Sequence, residues 1–441
     1  MYDAILAEHL NTPTVVLAND GFINDARSAA SGKGTPGIRV VPVPLPYECT
    51  ERAKIAAGVS AALDDALAAL TKPLTAEEQS PKPKELEKVS RIVFKGSLQE
   101  VNRFFYKRGW TDGFPIVPPT EEAVQEMLTG TDLPADHLVA KIVPRLGKAT
   151  VEKIAINAVM AGALPTYMPI LIAGVQALMD PKAGFGTWEV STGSWSPFYI
   201  INGPIRNQLH VNSGSGALSP GDIANATIGR AMGLIVKNIG GARKGIEDMG
   251  VLGNPGKYTM VTGENEEESP WEPFHVEQGF SKEDNCITVS FPNSFAQVWP
   301  YGSDDKGIMR GIISHVMPRN RGLSLMIPPA HARTLAECGW TKKEIAAYIA
   351  EYARVPAYRH PDYWGAPGLE RRRPAMNAED AVAILRSGDR VKMIVAGGPG
   401  AFIGLVSGSV SNWVTKKVEL PANWESLVKK YKDVVPTYVR Y

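Results

Sequence analysis

The chain has 441 residues, 44% of them hydrophobic and 21% charged, with a formal net charge of +1. That length exceeds one ordinary core and predicts two or three domains. The near-neutral balance argues against a nucleic-acid or membrane-surface protein, both of which want a basic excess. Cys49, Cys286 and Cys338 stand far apart with no C-x-x-C, which leaves no support for a disulfide framework or a four-ligand zinc site. The start, MYDAILAEHLNTPTVVL, has Asp3 and Glu8 and no basic stretch before an apolar core. It does not read as a signal peptide, and no apolar run approaches bilayer length, so the cytoplasm is the expected location.

The patterning predicts an α/β fold. Strands are expected at 14–18 and 39–43, where β-branched runs are bounded by Asn, Gly and Pro. Helices are expected over 20–32 and 51–71, giving a small β-α-β-α unit over 1–72. Residues 73–90 are rich in Pro and charge and read as a linker. A main domain is expected over 91–330, with a helix running to Trp110, helices at 149–162, 167–179, 220–237 and 304–316, and strands at 198–202, 258–262 and 286–291. A C-terminal segment, 331–441, pairs the helix TKKEIAAYIAEYAR with the strand VKMIVAG and a last helix after Trp424, packed on the main domain.

Four segments stand out. GWTDGFPIVPPT (109–120) surrounds Asp112 with three prolines and two glycines, and Thr120 is placed to cap a helix from Glu121. It reads either as a connector or as a rigid loop presenting Thr111 and Asp112 to a pocket. In 201–231, Asn202, Asn212, Ser213, Gly214, Ser219 and Asn225 lie in a Gly/Ser-rich stretch, and Ser219, Pro220 and Asp222 predict a helix start. Free N–H groups there would suit an anion; simple loop architecture is the other reading. Gly229 and Gly233, one turn apart, predict a close helix contact. The irregular stretch 240–280 holds Glu264, Glu266, Glu272, His275 and Glu277. His275 and Glu277 are expected to alternate as on a strand and share a face, where they would serve acid/base work, a divalent metal, or a solvated turn. VKMIVAGGPGAF (391–402) ends a strand in a Gly-rich turn that fits no standard phosphate motif. His331, after Pro328 and Pro329, opens a helix.

These segments, together with ATVEKIAINAVMAGALP, DMGVLGNPGKYT, ENEEESPWEPFHVE and HARTLAECGW, resemble a bacterial family in which a large domain is fused or adjacent to a UGSC-type (seleno)protein domain. The resemblance covers most of residues 100–410. The N-terminal stretch DAILAEHLNTPTVVLANDGFINDARSAASGKGTPGIRVVPVP resembles the part of the UGSC domain that follows its redox motif, and that domain is distantly similar to the selenoprotein B component of glycine reductase. The resemblance implies a U/C-G-S-C motif just upstream of Tyr2, either on a partner chain, lost to a misplaced start, or absent. It also implies a cysteine in many relatives where this chain has Ala163.

The resulting expectation is a subunit of a heteromeric enzyme. It would bind a small polar or anionic substrate and act with a thiol- or selenol-bearing partner in reductive cleavage or oxidoreduction. The alternatives are a non-redox lyase or hydratase using Asp112, His275 and Glu277, and a non-catalytic scaffold subunit. Substrate contacts are expected from Thr111, Asn202, Asn212, Ser213, Gly214, Ser219, Asn225 and Glu264, with no metal and no assigned cofactor. Association, with a partner or with itself, is expected through the N-terminal unit.

Overall fold

Each N-terminal strand expected from β-branched runs forms, and the two pair in parallel. The computed structural model describes residues 1–44, 51–79, 90–318, 322–360, 363, 377–409 and 412–434. Cys49 and residues 80–89 of the expected linker lie outside the described residues. Helix α1 (Tyr2–His9) precedes β1 (Val16–Asn19), α2 (Ile23–Gly32) crosses to β2 (Val40–Val43), and α3 (Arg52–Thr71) follows. β1 runs parallel to β2 from Val16↔Val40 to Asn19↔Val43. Ile5, Ala30 and Ile38 form one small core, and Val41, Val43 and Ala62 another. Arg39 ties the unit together. Its guanidinium donates to the carbonyls of Ala69, Lys72 and Pro73 and pairs with Glu78, so a cation meets the carbonyl end of α3. Residues 73–77 and 90 are exposed, Glu78 is half-buried against Arg39, and the stretch includes a single helical turn, Ala76–Gln79.

The body begins with α4 (Leu98–Lys107), opened by a Ser97/Glu100 capping box, and α5 (Glu121–Leu128), where Thr120 caps the N–H of Ala123 as expected. A hairpin follows, β3 (Leu138–Ile142) and β4 (Gly147–Thr150), then α6 (Val151–Ala161), α7 (Met168–Met179), β5 (Phe198–Asn202), α8 (Ile223–Ile235), β6 (Val261–Gly263) and β7 (Cys286–Ser290). Next come β8 (Ser294–Val298), α9 (Asp305–His315), β9 (Leu323–Ile327), α10 (Pro329–Glu337), α11 (Lys342–Tyr352), β10 (Arg354–Pro356) and β11 (Ala381–Ala383). The chain closes with β12 (Val391–Val395), β13 (Ile403–Ser407), β14 (Val414–Lys417) and α12 (Trp424–Tyr431).

Two four-stranded sheets carry the body, in the orders β14-β7-β5-β6 and β12-β9-β13-β8. Period-2 alternation explains their layering. On β5, Tyr199 and Ile201 face the first core beneath α6, α7 and α8, while Phe198 and Ile200 face the other way. On β12, Val391, Met393 and Val395 face a second core with α9, α10 and α11, while Ile394 turns toward Phe198, Ile200, Met326 and Val406. The sheets therefore stack face to face through this third core, with helices on both outer sides: helix, sheet, sheet, helix. The first core takes residues up to Phe291 and resumes at Val414; the second runs from Val298 to Leu405. Strands from both sides of residue 330 share the second sheet.

Two local expectations are corrected. The helix expected from Pro220 starts at Ile223, because Pro220 and Gly221 form a turn and Asp222 takes the cap position. The strand expected at 258–262 occupies Val261–Gly263, because Pro255–Lys257 forms a helical turn first. Gly229 and Gly233 do permit a close contact. A methyl at Gly229 would sit 2.3 Å from Thr259 Oγ1, and one at Gly233 would sit 3.0 Å from the Lys257 carbonyl.

Candidate functional site

β5 and β6 run parallel, and so do β9 and β12, so their carboxyl ends deliver loops to common edges of the two sheets. Such edges are where open α/β sheets present ligand-binding groups. At the end of β5 sits Asn202, fully buried, and just past β6 sits Glu264, also fully buried. Glu264 Oε2 accepts from Asn202 Nδ2 at 2.7 Å and from the Phe274 N–H at 2.7 Å. Its Oε1 accepts no hydrogen bond and lies 3.6 Å from Lys342 Nζ. Burial raises the Glu264 carboxyl above the usual range, against the pull of Lys342, the Phe274 N–H and the Asn202 amide. Asn202 Oδ1 is likewise buried without a partner.

Arg206, in the short helix Ile205–Gln208, is 2% exposed and gathers the acidic run. Its Nε lies 3.0 Å from Glu266 Oε1, its Nη2 donates to Glu267 at 3.0 Å, and its Nη1 reaches the Glu264 carbonyl. Glu266 Oε1 also accepts from Asn202 Nδ2 and from Gly203 N–H at 2.8 Å. A buried guanidinium of this kind needs its carboxylates, and losing one would strand a charge.

Lys342 opens α11, behind the capping box of Thr341 and Glu344. Its Nζ lies 2.6 Å from Glu277 Oε1 and donates to the Glu272 carbonyl at 2.7 Å. One side of Lys342 thus meets buried Glu264. The other lines an open cavity of about 590 Å³ with Trp271, Glu272, Glu277, Lys343 and Lys392.

The structure sorts the sequence-chosen residues. Glu264 and Glu277 flank Lys342, and Asn202 joins them through its hydrogen bond to Glu264. His275 and Glu277 lie on a helical turn, Phe274–Glu277, rather than on a strand, because Pro273 starts a turn there. His275 is fully buried; its Nε2 lies 3.4 Å from the Lys282 carbonyl, and its Nδ1 has no partner. Asp112 stands apart. Its carboxylate forms a two-point pair with Arg230 at 2.7 and 3.0 Å and accepts from the Phe114 N–H, while Thr111 Oγ1 accepts from Gly113 N–H. No hydrogen bond or ion pair among the described residues joins Asp112 to His275. Asn212 holds its own loop, donating to the Ser215 carbonyl and Asp222 and accepting from Gly214 N–H. Asn225 donates to three carbonyls and accepts from Asn212 N–H. The Ser213 carbonyl accepts from Gly397 N–H, so the two Gly-rich segments meet. Ser219 is exposed on a turn. Sequence reasoning passed over Arg206 and Lys342. Arg206 lay inside a segment already singled out, whereas nothing in TKKE distinguished Lys342 from a solvated helix start.

A second buried carboxylate lies elsewhere. Glu189, 5% exposed, has Lys257 Nζ at 3.8 Å, and Lys257 in turn reaches Asp248 at 2.7 Å. Burial pushes the Glu189 carboxyl up to about 7. Nearby, the Tyr199 hydroxyl is buried without a partner, and its proton is held more tightly by burial and by Glu189. The N-terminal unit reaches this side of the body, where Ser28 Oγ donates to buried Glu247. Among the described residues no cluster of three His, Cys, Asp or Glu side chains suits a metal, and no helix is long and apolar enough to cross a membrane.

Residues 1–72 match the profile of the UGSC family. No curated protein and no solved structure matches the chain.

Proposed function

Starting from an N-terminal unit of the UGSC family, we propose that the chain is a substrate-binding enzyme subunit. It holds a small polar or anionic substrate in the Lys342 cavity and acts with a partner bearing a C/U-G-S-C motif, which supplies the thiol or selenol chemistry. The carrying observation is Glu264: a fully buried carboxylate with one oxygen lacking a donor, 3.6 Å from the ammonium group of Lys342, which itself lines the cavity. Buried, unmatched polar atoms at a cleft are where binding and proton transfer are arranged, because structure alone would have paired them. Lys343 and Lys392 have no ion-pair partner among the described residues and suit a substrate carboxylate. Trp271 and the apolar walls Val391 and Met393 suit a short carbon skeleton.

The raised Glu264 carboxyl next to Lys342 also favours a second reading, acid/base lyase chemistry with no redox step. Titration calorimetry with a panel of small carboxylates, amino acids and hydroxy acids tests the binding site. Glu264→Gln and Lys342→Met should each weaken the best ligand at least tenfold. A ligand whose affinity is unchanged in both variants rules out this cavity. Turnover of that ligand with dithiothreitol standing in for the partner thiol, and none without it, separates the redox reading from the lyase.

A further inference from the structure

β8 is the last strand of the second sheet. It pairs antiparallel with β13 from Ser294↔Ser407 to Val298↔Ile403, and no strand among the described residues takes its other edge. Ser294, Phe295, Ala296 and Gln297 are all exposed, and only Val298 is buried. Proteins normally protect such an edge with charge, proline, a bulge or a covering segment, because its outward N–H and C=O groups will pair with any extended chain. Here the strand reads SFAQV, with no charge and no proline, and its pairing with β13 has no bulge.

The surroundings are aromatic. Phe295 is 42% exposed, Trp299 61%, Tyr301 62% and Phe402 51%. Trp299 and Phe402 meet edge to face at 4.9 Å, and Gly404 leaves room for the Phe295 ring across the sheet. Exposed aromatics beside an uncharged edge are the composition of an interface core, where Trp and Tyr carry most of the energy.

We propose that β8 is a dimer interface, pairing antiparallel with β8 of a second copy to join the two sheets into one of eight strands. An antiparallel strand pair about a twofold axis places the same residues on both sides, and an uncharged strand meets itself with no like charges opposed. The area suffices. At about 200 Å² per ring, the four aromatics expose about 400 Å² per copy. A symmetric pair therefore covers about 800 Å² from rings alone, and Ser294, Ala296, Gln297 and the backbone carry it past the ~1,000 Å² a specific interface needs. Another exposed apolar stripe, Ile55, Val59, Leu63 and Leu67, lies on a helix, α3, whose backbone groups are already paired within it and select no occupant.

Sedimentation of the full chain at micromolar concentration tests this. A dimer is expected. Ala296→Lys and Trp299→Glu, each at an exposed position, should raise its dissociation constant at least tenfold with unchanged circular dichroism, while Leu63→Lys should not. Amide exchange on the unmodified chain should slow across 294–298 as concentration rises. A monomeric wild type, a dimer that survives both β8 variants, one lost through Leu63→Lys alone, or open-ended assemblies in place of a closed pair would overturn the proposal.

Discussion

Replacing Glu189 by glutamine removes a carboxyl that ionises very differently in the folded and unfolded chains. In the folded chain it ionises near pH 7, because burial outweighs the attraction of Lys257; its unperturbed value is 4.5. Below about pH 4.5 both states hold the proton and the residue is neutral to stability balance. Between there and pH 7 the unfolded chain releases the proton while the folded chain keeps it, so stability falls as pH rises and levels off above pH 7. A gap of about 2.5 pH units at about 1.4 kcal/mol each amounts to roughly 3 kcal/mol. Glu189→Gln cannot titrate, so its stability relative to wild type should climb by roughly that amount between pH 4.5 and 8. Asp25, raised to about 6 by burial and Glu247, slopes the same way in both proteins and cancels in the difference. Urea unfolding followed by tryptophan fluorescence at several pH values measures it. Parallel stability curves for the two proteins over that range would show that Glu189 is ionised in the fold and that the burial argument fails.

Three further outcomes are expected. Asp112→Ala leaves the Arg230 guanidinium, 20% exposed at its side chain, without its two-point partner. Stability in urea should fall by about 1–3 kcal/mol, with ligand affinity in the Lys342 cavity held within about twofold; a tenfold loss of affinity at unchanged stability would instead move the 109–120 loop to the site. Asn212→Ala removes three hydrogen bonds from its turn and should also cost about 1–3 kcal/mol of stability, and binding that weakens with no loss of stability would make that loop ligand-facing. Burial pushes the Cys286 thiol up to about 12, whereas Cys338 is exposed. Iodoacetamide at pH 7.5 should therefore label Cys338 in the native chain and spare Cys286, and changing Cys49, Cys286 and Cys338 to alanine should leave activity within about tenfold, ~1.4 kcal/mol of barrier; a collapse with the fold intact refutes that.

Local chemistry was readable where local forces decide the outcome. The β-branched runs at β1 and β2, the amphipathic pattern of α3, the Thr120 cap and the proline entry to α10 all follow from neighbours in sequence. The strands Leu323–Ile327 and Ile403–Ser407 were missed because they are buried on both faces and show no alternation, only short apolar runs. The site was half legible for the same reason. Asn202 and Glu264 sit in unusual segments and bond to each other directly, but what joins Glu264 to Glu277 and the cavity is Lys342, 78 residues beyond Glu264 in number and brought close only by the meeting of two sheets. The turn at 273–277 defeated the alternation argument because Pro273 and the buried Phe274 favour a turn over an extended chain.

β7 and β14 are paired neighbours in the first sheet, yet the whole second sheet is threaded between them. During synthesis the outer edge of β7 stays unpaired while roughly 120 residues emerge, a long loop to close before its partner arrives. The hydrogen bond from Asn293 N–H to the Ser407 carbonyl pins the start of that excursion to its end. The first sheet is therefore completed only after the whole second sheet has been made, and a lesion in the β9–β13 region should slow the pairing of β14 with β7, in a sheet to which neither β9 nor β13 belongs.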